Sequence, residues 1–319
     1  MSPSIQILNP GILSLIQDAG RYGQHSVGLT TGGPMDPLAF KWANRLVGND
    51  DNTSAIETTI GGLKFKVKGD IQLAVTGAEV AVSVNGKPRP QWQTLNLSTH
   101  DELELGYATQ GCRIYVAFAS GLNIAPQFNS TSTVVREGIG GETGKGLQAG
   151  DELALNSETA KGSCWQLPES ARPEYHDSVT LRLIPGYQDH HFSRHQQRMF
   201  FYHEYKVSDL CDRMGYRLTG PSIKCDIEGI LSEGICLGAV QVPKDGQPIV
   251  LMNDRQTIGG YPKIGSVLSL DLAKLAQLTA GCTVKFEPIT IDHAHNELAL
   301  AQYRYRQQAL VAVTPEEVK

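Results

Sequence analysis

Groups that can bind a small polar ligand are concentrated between residues 211 and 262. Arg213 and Arg217 are four positions apart, with Gly215 between them. Amide, carboxylate, guanidinium and hydroxyl groups follow at the ends of short apolar runs: Gln241, Asp254, Arg255, Gln256 and Thr257. Planar donors and acceptors beside apolar strands suit a small ligand that carries an amide or a carboxylate.

The stretch closes with a turn at Gly259-Gly260-Tyr261-Pro262, where glycines allow the backbone to approach a neighbour closely. Each group also has a purely structural interpretation. Asp254 and Arg255 can form an ion pair within a turn, and Asp212 can pair with Arg213 or Arg217. The clustering of these groups, more than any single residue, favours a site. We predict that Arg255→Ala or Asp254→Asn removes activity while the fold stays intact.

Composition and charge exclude several classes of protein. The chain has 319 residues, 40% of them hydrophobic, and a formal net charge of -5, so it has no general attraction to nucleic acid or anionic membranes. No apolar run approaches the roughly 20 residues that a membrane span needs. The six cysteines are scattered without a CxxC pair, and the N-terminus lacks a signal-peptide pattern. These features predict a cytoplasmic protein.

The elements that must position the candidate groups are mostly strands. Between Ala55 and Phe118, short apolar or alternating runs are separated by turns of Gly, Asn and Asp, which is the spacing of a barrel or closed sandwich. A helix is predicted over Pro37 to Val47, capped by Asp36, and a C-terminal helix is predicted from Ile291. The fold class is therefore mainly β with a few helices.

Two further motifs are weak. Gly144-Lys145 resembles a phosphate loop, but Ile139 stands where the first glycine is required and Gly146 where a hydroxyl would bind magnesium. A helix predicted over Gln188 to Phe201 would place His191 and His195 four positions apart, as in some metal sites. No third ligand has a matching spacing, so we predict no metal site.

The second half of the chain repeats the first loosely. Asp18-Ala19-Gly20-Arg21-Tyr22-Gly23 is echoed by Asp212-Arg213-Met214-Gly215-Tyr216-Arg217, which favours two divergent copies of one β-rich domain. The polar stretch between Asn156 and Ser178 is the best linker. The predicted organisation is one domain over 1–160, a linker over 161–178, a second domain over 179–290, and a helix and tail over 291–319.

Three segments resemble the allophanate hydrolase subunit 2 family, also called the biotin-dependent carboxyltransferase-like family. They read IQDAGRYGQHSVGLTTGGPMDP from Ile16, DRMGYRLTGP from Asp212, and GAVQVPKDGQPIVLMNDRQTIGGYPKIG from Gly238. The third is highly specific, and the resemblance extends to about Pro288. Within the family, the chain is similar to a group of stand-alone bacterial proteins, the C subunits of 5-oxoprolinase.

The resemblance implies two tandem cyclophilin-like β-barrels and an ATP-dependent complex with 5-oxoprolinase subunits A and B, which opens the lactam of 5-oxo-L-proline to L-glutamate. ATP would bind at a site shared in the complex. The resemblance implies catalytic roles for Asp254, Arg255, Arg217 and Gln241. It implies substrate-binding roles for the following residues: Arg213, Gln256, Thr257, Tyr261, Arg21 and Met35.

Two alternatives remain open from the sequence. Other family members imply a biotin-dependent carboxyl transfer to a urea-like substrate, for which a separate biotin carrier would be required because no Met-Lys-Met motif is present. The family also implies a non-catalytic module that sequesters a kinase inhibitor. Asp18 and Asp36 fit the catalytic alternatives, but turn or helix caps explain both equally well.

Overall fold

The protein is mainly β in the computed structural model, as the sequence predicts, and residues 3–156 and 163–314 are described. The chain divides into two compact units. The first unit comprises the described residues of Met1–Gly23, Gly32–Tyr175 and Ala309–Lys319, and the second comprises Gln24–Thr31 and His176–Gln308. Across the described ranges, none of the helices has both the length and the apolar character that crossing a membrane would require.

Strands of the first unit form two antiparallel sheets. The strands are β1 (Ser4–Pro10), β2 (Leu13–Gln17), β3 (Ala55–Thr59), β4 (Leu63–Lys68), β5 (Ile71–Glu79), β6 (Val82–Val84), β7 (Lys87–Arg89), β8 (Thr94–Leu97), β9 (Glu102–Leu105), β10 (Gln110–Phe118), β11 (Glu152–Ala154) and β12 (Cys164–Gln166). One sheet has the order β11-β1-β4-β9-β6-β7 and the other has the order β2-β3-β10-β5-β8, whereas β12, the last strand named, belongs to neither.

Both sheets of the first unit contribute to one apolar core. Ile7 and Phe65 come from the first sheet, and Ile56 and Val116 come from the second, all of them fully buried. Strand β4 alternates buried Leu, Phe and Val with partly exposed lysines, so the period of two selects the face that packs inward. Each such side chain contributes about 1.5–3 kcal/mol on burial.

Helix α1 (Pro37–Leu46) confirms the predicted helix and its cap. The Asp36 carboxylate accepts a hydrogen bond from the amide of Ala39 at 3.1 Å, and Pro37 occupies the first turn, where no amide donor is needed. The helix ends at Leu46, one residue before the predicted end, because Val47 has already left the helical conformation.

The second unit contains a closed barrel of seven strands. Its strands and helices are β13 (Ser178–Pro185), α2 (Arg194–Tyr202), β14 (Tyr205–Cys211), β15 (Gly215–Thr219), β16 (Glu233–Gly234), β17 (Ala239–Gln241), β18 (Ile249–Leu251), β19 (Ile258–Gly259), β20 (Lys263–Val267), α3 (Ser269–Ala276), β21 (Thr283–Pro288) and α4 (Ile291–Gln307). The barrel order is β13-β20-β17-β18-β15-β14-β21, and a parallel pairing of β13 with β21 closes it. The short strands β16 and β19 pair separately.

The repeated Asp motifs adopt the same local turn in each unit. The Asp18 carboxylate accepts from the amide of Gly20 at 2.9 Å, and the Asp212 carboxylate accepts from the amide of Met214 at 2.7 Å. A short acidic side chain that bonds the backbone two residues on stabilises a turn. The echo in the sequence therefore corresponds to a shared backbone feature.

Two segments differ from the sequence-based description. Residues 163–175 read as linker, yet buried Cys164 and Leu167 fix them in the first unit, and β12 pairs there with the last strand, β22 (Val311–Val313). Residues 157–162 and 315–319, which complete the predicted linker and tail, lie outside the described residues. Helix α2 begins at Arg194 rather than Gln188, because Ser193 caps it and accepts from Gln196.

Candidate functional site

A buried ion pair joins two of the predicted residues in the second unit. The Asp254 carboxylate accepts from Nε and Nη2 of Arg213, each at 2.9 Å, and both residues are about 95% buried. The amide of Asp254 also donates to the carbonyl of Arg213 at 2.8 Å. This bidentate geometry fixes the plane of the guanidinium. Asp254 therefore reaches beyond its own turn and pairs with Arg213, which lies 41 positions earlier in the chain.

Arg255 is equally buried and holds two backbone carbonyls. Its Nε donates to the carbonyl of Ile235 at 3.2 Å, and Nη1 reaches the carbonyl of Met252 at 3.5 Å. Ile235 in turn donates its amide to the carbonyl of Thr257 at 3.0 Å. Arg255 thus fastens the segment that carries β16 to the loop between β18 and β19.

Gln241 lies at the end of β17, opposite Lys263 on β20. Its side chain is 94% buried, and within the described ranges it forms no side-chain hydrogen bond. A Cβ atom on Gly259 would lie only 2.9 Å from its Nε2 and 2.3 Å from Cδ1 of Ile235. The absence of a side chain at Gly259 therefore leaves room for the Gln241 amide.

A polar cluster beside Gln241 was missed by the sequence analysis. The Lys263 ammonium and the Tyr187 hydroxyl both donate to the carboxylate of Glu233, and the Gln188 amide donates to it at 3.0 Å. The Lys263 and Tyr187 contacts hold the pKa of Glu233 below its ordinary value. Glu233 in turn raises the pKa of Tyr187. The signal available in the sequence was Lys263, next to the specific Gly259-Pro262 turn, whereas Glu233 and Tyr187 are distant in sequence.

The remaining predicted residues of the second unit are more exposed. Arg217 projects from β15 and pairs with Asp245 at 3.0 Å, and both side chains are more than one-third exposed. Gln256 is exposed, Thr257 half-buried, and Tyr261 46% exposed. These residues lie in the same unit as Arg255, but their side chains do not join the buried cluster of Arg213 and Asp254.

Arg21 belongs to the first unit, where its guanidinium is fully buried. Nε donates to the carbonyl of Gln127 at 3.0 Å, and Nη2 donates to the carbonyls of Ser130 and Ser132 at 3.4 and 3.0 Å. Asp18 accepts from the hydroxyls of the same two serines at 2.6 and 2.7 Å. Together these residues hold the loop that contains Ser130 and Ser132, which is a structural task.

Met35 is also buried in the first unit, beside an acidic cluster. Its amide donates to the Glu57 carboxylate at 2.8 Å, and the Tyr115 hydroxyl donates to the same oxygen at 2.7 Å. The amide of Asp36 donates to the Tyr115 hydroxyl at 2.7 Å, and the Tyr175 hydroxyl donates to the Asp36 carboxylate at 2.9 Å. Burial, together with Glu57 and Asp36, raises the pKa of Tyr115, so this phenol stays protonated.

Metal and nucleotide motifs find little support among the described residues. Nowhere in the two described ranges do three or more His, Cys, Asp or Glu side chains group as metal ligands. His191 lies outside helix α2 and contacts Asp226 at 2.8 Å, so the expected helical pair with His195 is wrong. After Gly144-Lys145 the next element is the strand β11, so this loop lacks the helix N-terminus that a phosphate loop requires.

A surface cavity of about 820 Å³ lies over helix α2. It is lined by Arg194, His195, Arg198, Tyr202 and Pro288, among others, and by none of the residues for which the sequence predicts a catalytic or substrate-binding role. The polar side chains that line it lie at the surface, whereas Gln241 and Arg255 are deeply buried. We therefore take the Gln241–Lys263 region of the barrel as the candidate site.

Comparisons with known proteins identify the family of the chain. A family described as "Carboxyltransferase domain, subdomain A and B" matches residues 27–288. The chain is 36% identical to a Haemophilus influenzae protein named as the C subunit of 5-oxoprolinase, over 94% of this chain and 97% of that protein. It is 34% identical to the protein of the same name from Escherichia coli, over 91% and 93% of the two chains. The K. lactis urea amidolyase structure superposes with a TM-score of 0.90 at 26% identity, over 99% of this chain and 21% of that one.

Proposed function

We propose that this chain, which belongs to the carboxyltransferase domain family of subdomains A and B, is one subunit of an ATP-dependent 5-oxoprolinase. The observation that carries the proposal is the match, over nearly the full length of both chains, to two proteins named as the C subunit of 5-oxoprolinase. Such names imply further chains, and we propose that the A and B subunits of 5-oxoprolinase are the partners. The complex would open the lactam of 5-oxo-L-proline to give L-glutamate.

The barrel offers groups that suit this substrate. 5-Oxo-L-proline carries a carboxylate and a lactam amide, and the candidate site holds buried guanidinium, ammonium and amide groups within one region of the second unit. The Gln241 amide can pair with the lactam C=O or N–H, since an amide both donates and accepts. Arg255 is suited to stabilise negative charge that develops on the carbonyl oxygen. Asp254 holds Arg213 in a fixed orientation.

We propose that ATP binds to the assembled complex and not to a phosphate-binding motif of this chain. A lactam is a stable amide, and its opening in water needs activation of the carbonyl oxygen, which phosphoryl transfer from ATP would supply. The Gly144-Lys145 loop does not fit a phosphate-binding loop, so we assign ATP to a site shared with the partner chains. The proposal includes a cytoplasmic location, in keeping with six scattered cysteines.

The test is reconstitution of turnover. The purified chain is assayed alone, with the B subunit, and with both the A and B subunits, in the presence of 5-oxo-L-proline and ATP. We expect glutamate and ADP only in the full mixture. A stable complex of all three chains that never forms glutamate would overturn the proposal.

Carboxyl transfer is the second candidate, since the family description and the urea amidolyase superposition both favour it. In that case biotin would be the cofactor, carried on a separate protein, and a urea-like amide would accept the carboxyl group. One assay distinguishes the two candidate functions. Consumption of carboxybiotin in the presence of urea, without ADP or glutamate, supports carboxyl transfer and counts against 5-oxoproline opening.

A further inference from the structure

Three donors converge on one carboxylate at the edge of the second-unit barrel. The Lys263 ammonium, the Tyr187 hydroxyl and the Gln188 amide all donate to Glu233. The donors are also hydrogen-bonded to one another. Gln188 Nε2 donates to the Tyr187 hydroxyl at 2.9 Å, and the backbone amide of Lys263 donates to Gln188 Oε1 at 2.8 Å. A cation and two neutral donors in fixed positions are what a carboxylate-binding site requires.

Two of the three donors are more deeply buried than the acceptor. Lys263 begins the barrel strand β20, and its side chain is 11% exposed. Glu233 lies on the two-residue strand β16, outside the barrel, and its side chain is 34% exposed. Its segment also carries Leu231, which is 94% exposed. Lys263 and Gln188 are therefore buried, whereas solvent reaches the Glu233 carboxylate and the 68% exposed Tyr187, although buried Ile235 anchors the backbone just after β16.

A second ligand-binding group lies next to these donors. Gln241 faces Lys263 across the β17–β20 pairing, and Gly259, which leaves room for the Gln241 amide, pairs with Glu233 itself. Gln241 is 94% buried as a residue and, in the part of the chain that the structure describes, its side chain forms no hydrogen bond, so its amide atoms keep some area open to solvent. An amide that solvent still reaches beside these three donors can pair with a ligand in place of water.

We propose that Tyr187, Gln188 and Lys263 form a binding site for the carboxylate of a small molecule, and that Glu233 occupies this site until the ligand displaces it. Displacement keeps Lys263 paired with a carboxylate, so no buried cation is left without a partner. Glu233 is exposed enough to turn into water. This inference rests on the proposed function for the identity of the ligand, 5-oxo-L-proline, whose lactam would then reach Gln241.

The experiment compares Glu233→Gln with wild type and with a matched control, Glu228→Gln. Glu228 lies on the same segment and pairs with Lys244 on the surface at 2.6 Å. Calorimetry on the full chain measures binding of acetate, 5-oxo-L-proline and 2-pyrrolidinone, which is the lactam without a carboxylate. We expect Glu233→Gln to bind both carboxylates at least about tenfold more tightly, because a neutral amide competes less well for Lys263. Glu228→Gln should match wild type, and 2-pyrrolidinone should not respond to Glu233→Gln.

Lys263→Met provides the opposite change, and we expect it to lose carboxylate binding. The site is disproved if Glu233→Gln binds acetate and 5-oxo-L-proline no better than wild type while it unfolds at the same temperature. It is equally disproved if Lys263→Met retains binding. Failure of the function is a separate result: acetate still binds in the predicted way, but the reconstituted complex does not turn over 5-oxo-L-proline. Turnover that persists in Lys263→Met disproves the site and leaves the function standing.

Discussion

Asp254 and Arg213 are joined three times: two side-chain hydrogen bonds of 2.9 Å run from the guanidinium to the carboxylate, and one of 2.8 Å joins the two backbones. Both side chains are more than nine-tenths buried. A buried charge that loses its partner is strongly destabilising. The pair therefore links the loop after β18 to the turn before β15, and its two members cannot be altered independently.

Asp254→Asn is expected to lower both activity and stability. The variant removes the carboxylate charge that faces the buried Arg213 cation, at a cost of about 3–5 kcal/mol. The residue pattern alone predicted loss of activity with an intact fold, so the structure changes this expectation. Urea unfolding of the chain, alongside turnover in the complex, measures both effects. Asp245→Asn is the matched control: it breaks the exposed pair with Arg217 and should cost no more than about 1 kcal/mol. Equal stabilities of the two variants would contradict this assignment.

Arg255→Lys is expected to abolish most turnover by the complex while the chain stays folded. Lysine keeps the charge but cannot reproduce the fork that reaches the carbonyls of Ile235 and Met252. The segment that carries β16 then loses its hydrogen bond to the side chain at position 255, and the site loses a planar cation. Turnover and the unfolding temperature are measured together, with Arg198→Lys on helix α2 as the control. Full turnover in Arg255→Lys would show that a point charge suffices at this position.

The sequence predicted those parts of the fold that depend on local pattern. Alternating strands, the Asp36 cap of helix α1 and the turn at Asp18 follow from neighbouring residues, and all are present. Contacts between residues that are distant in the sequence could not be predicted from local pattern. Nothing in the sequence around Asp254 singles out Arg213 as its partner, because the partner is chosen by the meeting of two loops.

The same limit applies to the carboxylate cluster. Tyr187 and Glu233 are separated by 46 positions, and their contact depends on β16 leaving the barrel to pair with β19. The linker prediction failed to include Cys164 and Leu167 in the first unit for a related reason: a polar stretch can still anchor itself by a few buried side chains. The average composition of a segment does not reveal a few buried side chains within it.

Arg21→Lys is expected to destabilise the chain without changing substrate affinity. Its guanidinium donates to the carbonyls of Gln127, Ser130 and Ser132 from a fully buried position, and an ammonium cannot reach all three with the same geometry. Each carbonyl left unsatisfied costs about 1–3 kcal/mol. Unfolding free energy should fall while KM for 5-oxo-L-proline, measured below the unfolding temperature, stays constant. A raised KM with unchanged stability would instead support the substrate-binding role that the resemblance implies.

Asp271 makes a pH-dependent contribution to the stability of the second unit. Burial alone would raise the pKa of Asp271, but hydrogen bonds from Arg182 and Lys274 outweigh it, and the pKa lies below its ordinary value. Arg182 donates through Nε and Nη2 at 2.8 Å each, which ties helix α3 to β13. A depressed pKa means that the contribution is complete above the unfolded pKa of about 3.9 and is lost as the pH falls through the folded value.

The difference in unfolding free energy between wild type and Asp271→Asn should therefore be constant near neutral pH and shrink below about pH 4. Chemical denaturation at a series of pH values measures it. Asp292→Asn, in the exposed first turn of helix α4, is the control and should show a small, nearly flat difference. A difference for Asp271→Asn that grows as the pH falls would contradict the sign of the shift.

Gly259→Ala tests whether the space beside Gln241 is needed for function. The new methyl group would lie 2.9 Å from Gln241 Nε2 and 2.3 Å from Ile235 Cδ1, closer than carbon contacts allow, so both side chains must move. The ends of two flexible side chains can yield, and we expect a stability loss of no more than about 1–3 kcal/mol. The displaced Gln241 amide should weaken 5-oxo-L-proline binding, measured by calorimetry, by tenfold or more.

Gly234→Ala is the matched control, because Gly234 pairs with Ile258 on the same two-stranded ladder and a Cβ there would meet no atom within 4 Å. It should bind 5-oxo-L-proline as wild type does. Comparing the two variants distinguishes the role of the Gln241 amide from that of the β16–β19 ladder. Weak binding in Gly259→Ala alone assigns the loss to Gln241, whereas equal losses in both variants would mean that the β16–β19 ladder, and not the amide, governs the site. A Gly259→Ala variant with unchanged binding would remove Gln241 from the ligand-binding groups.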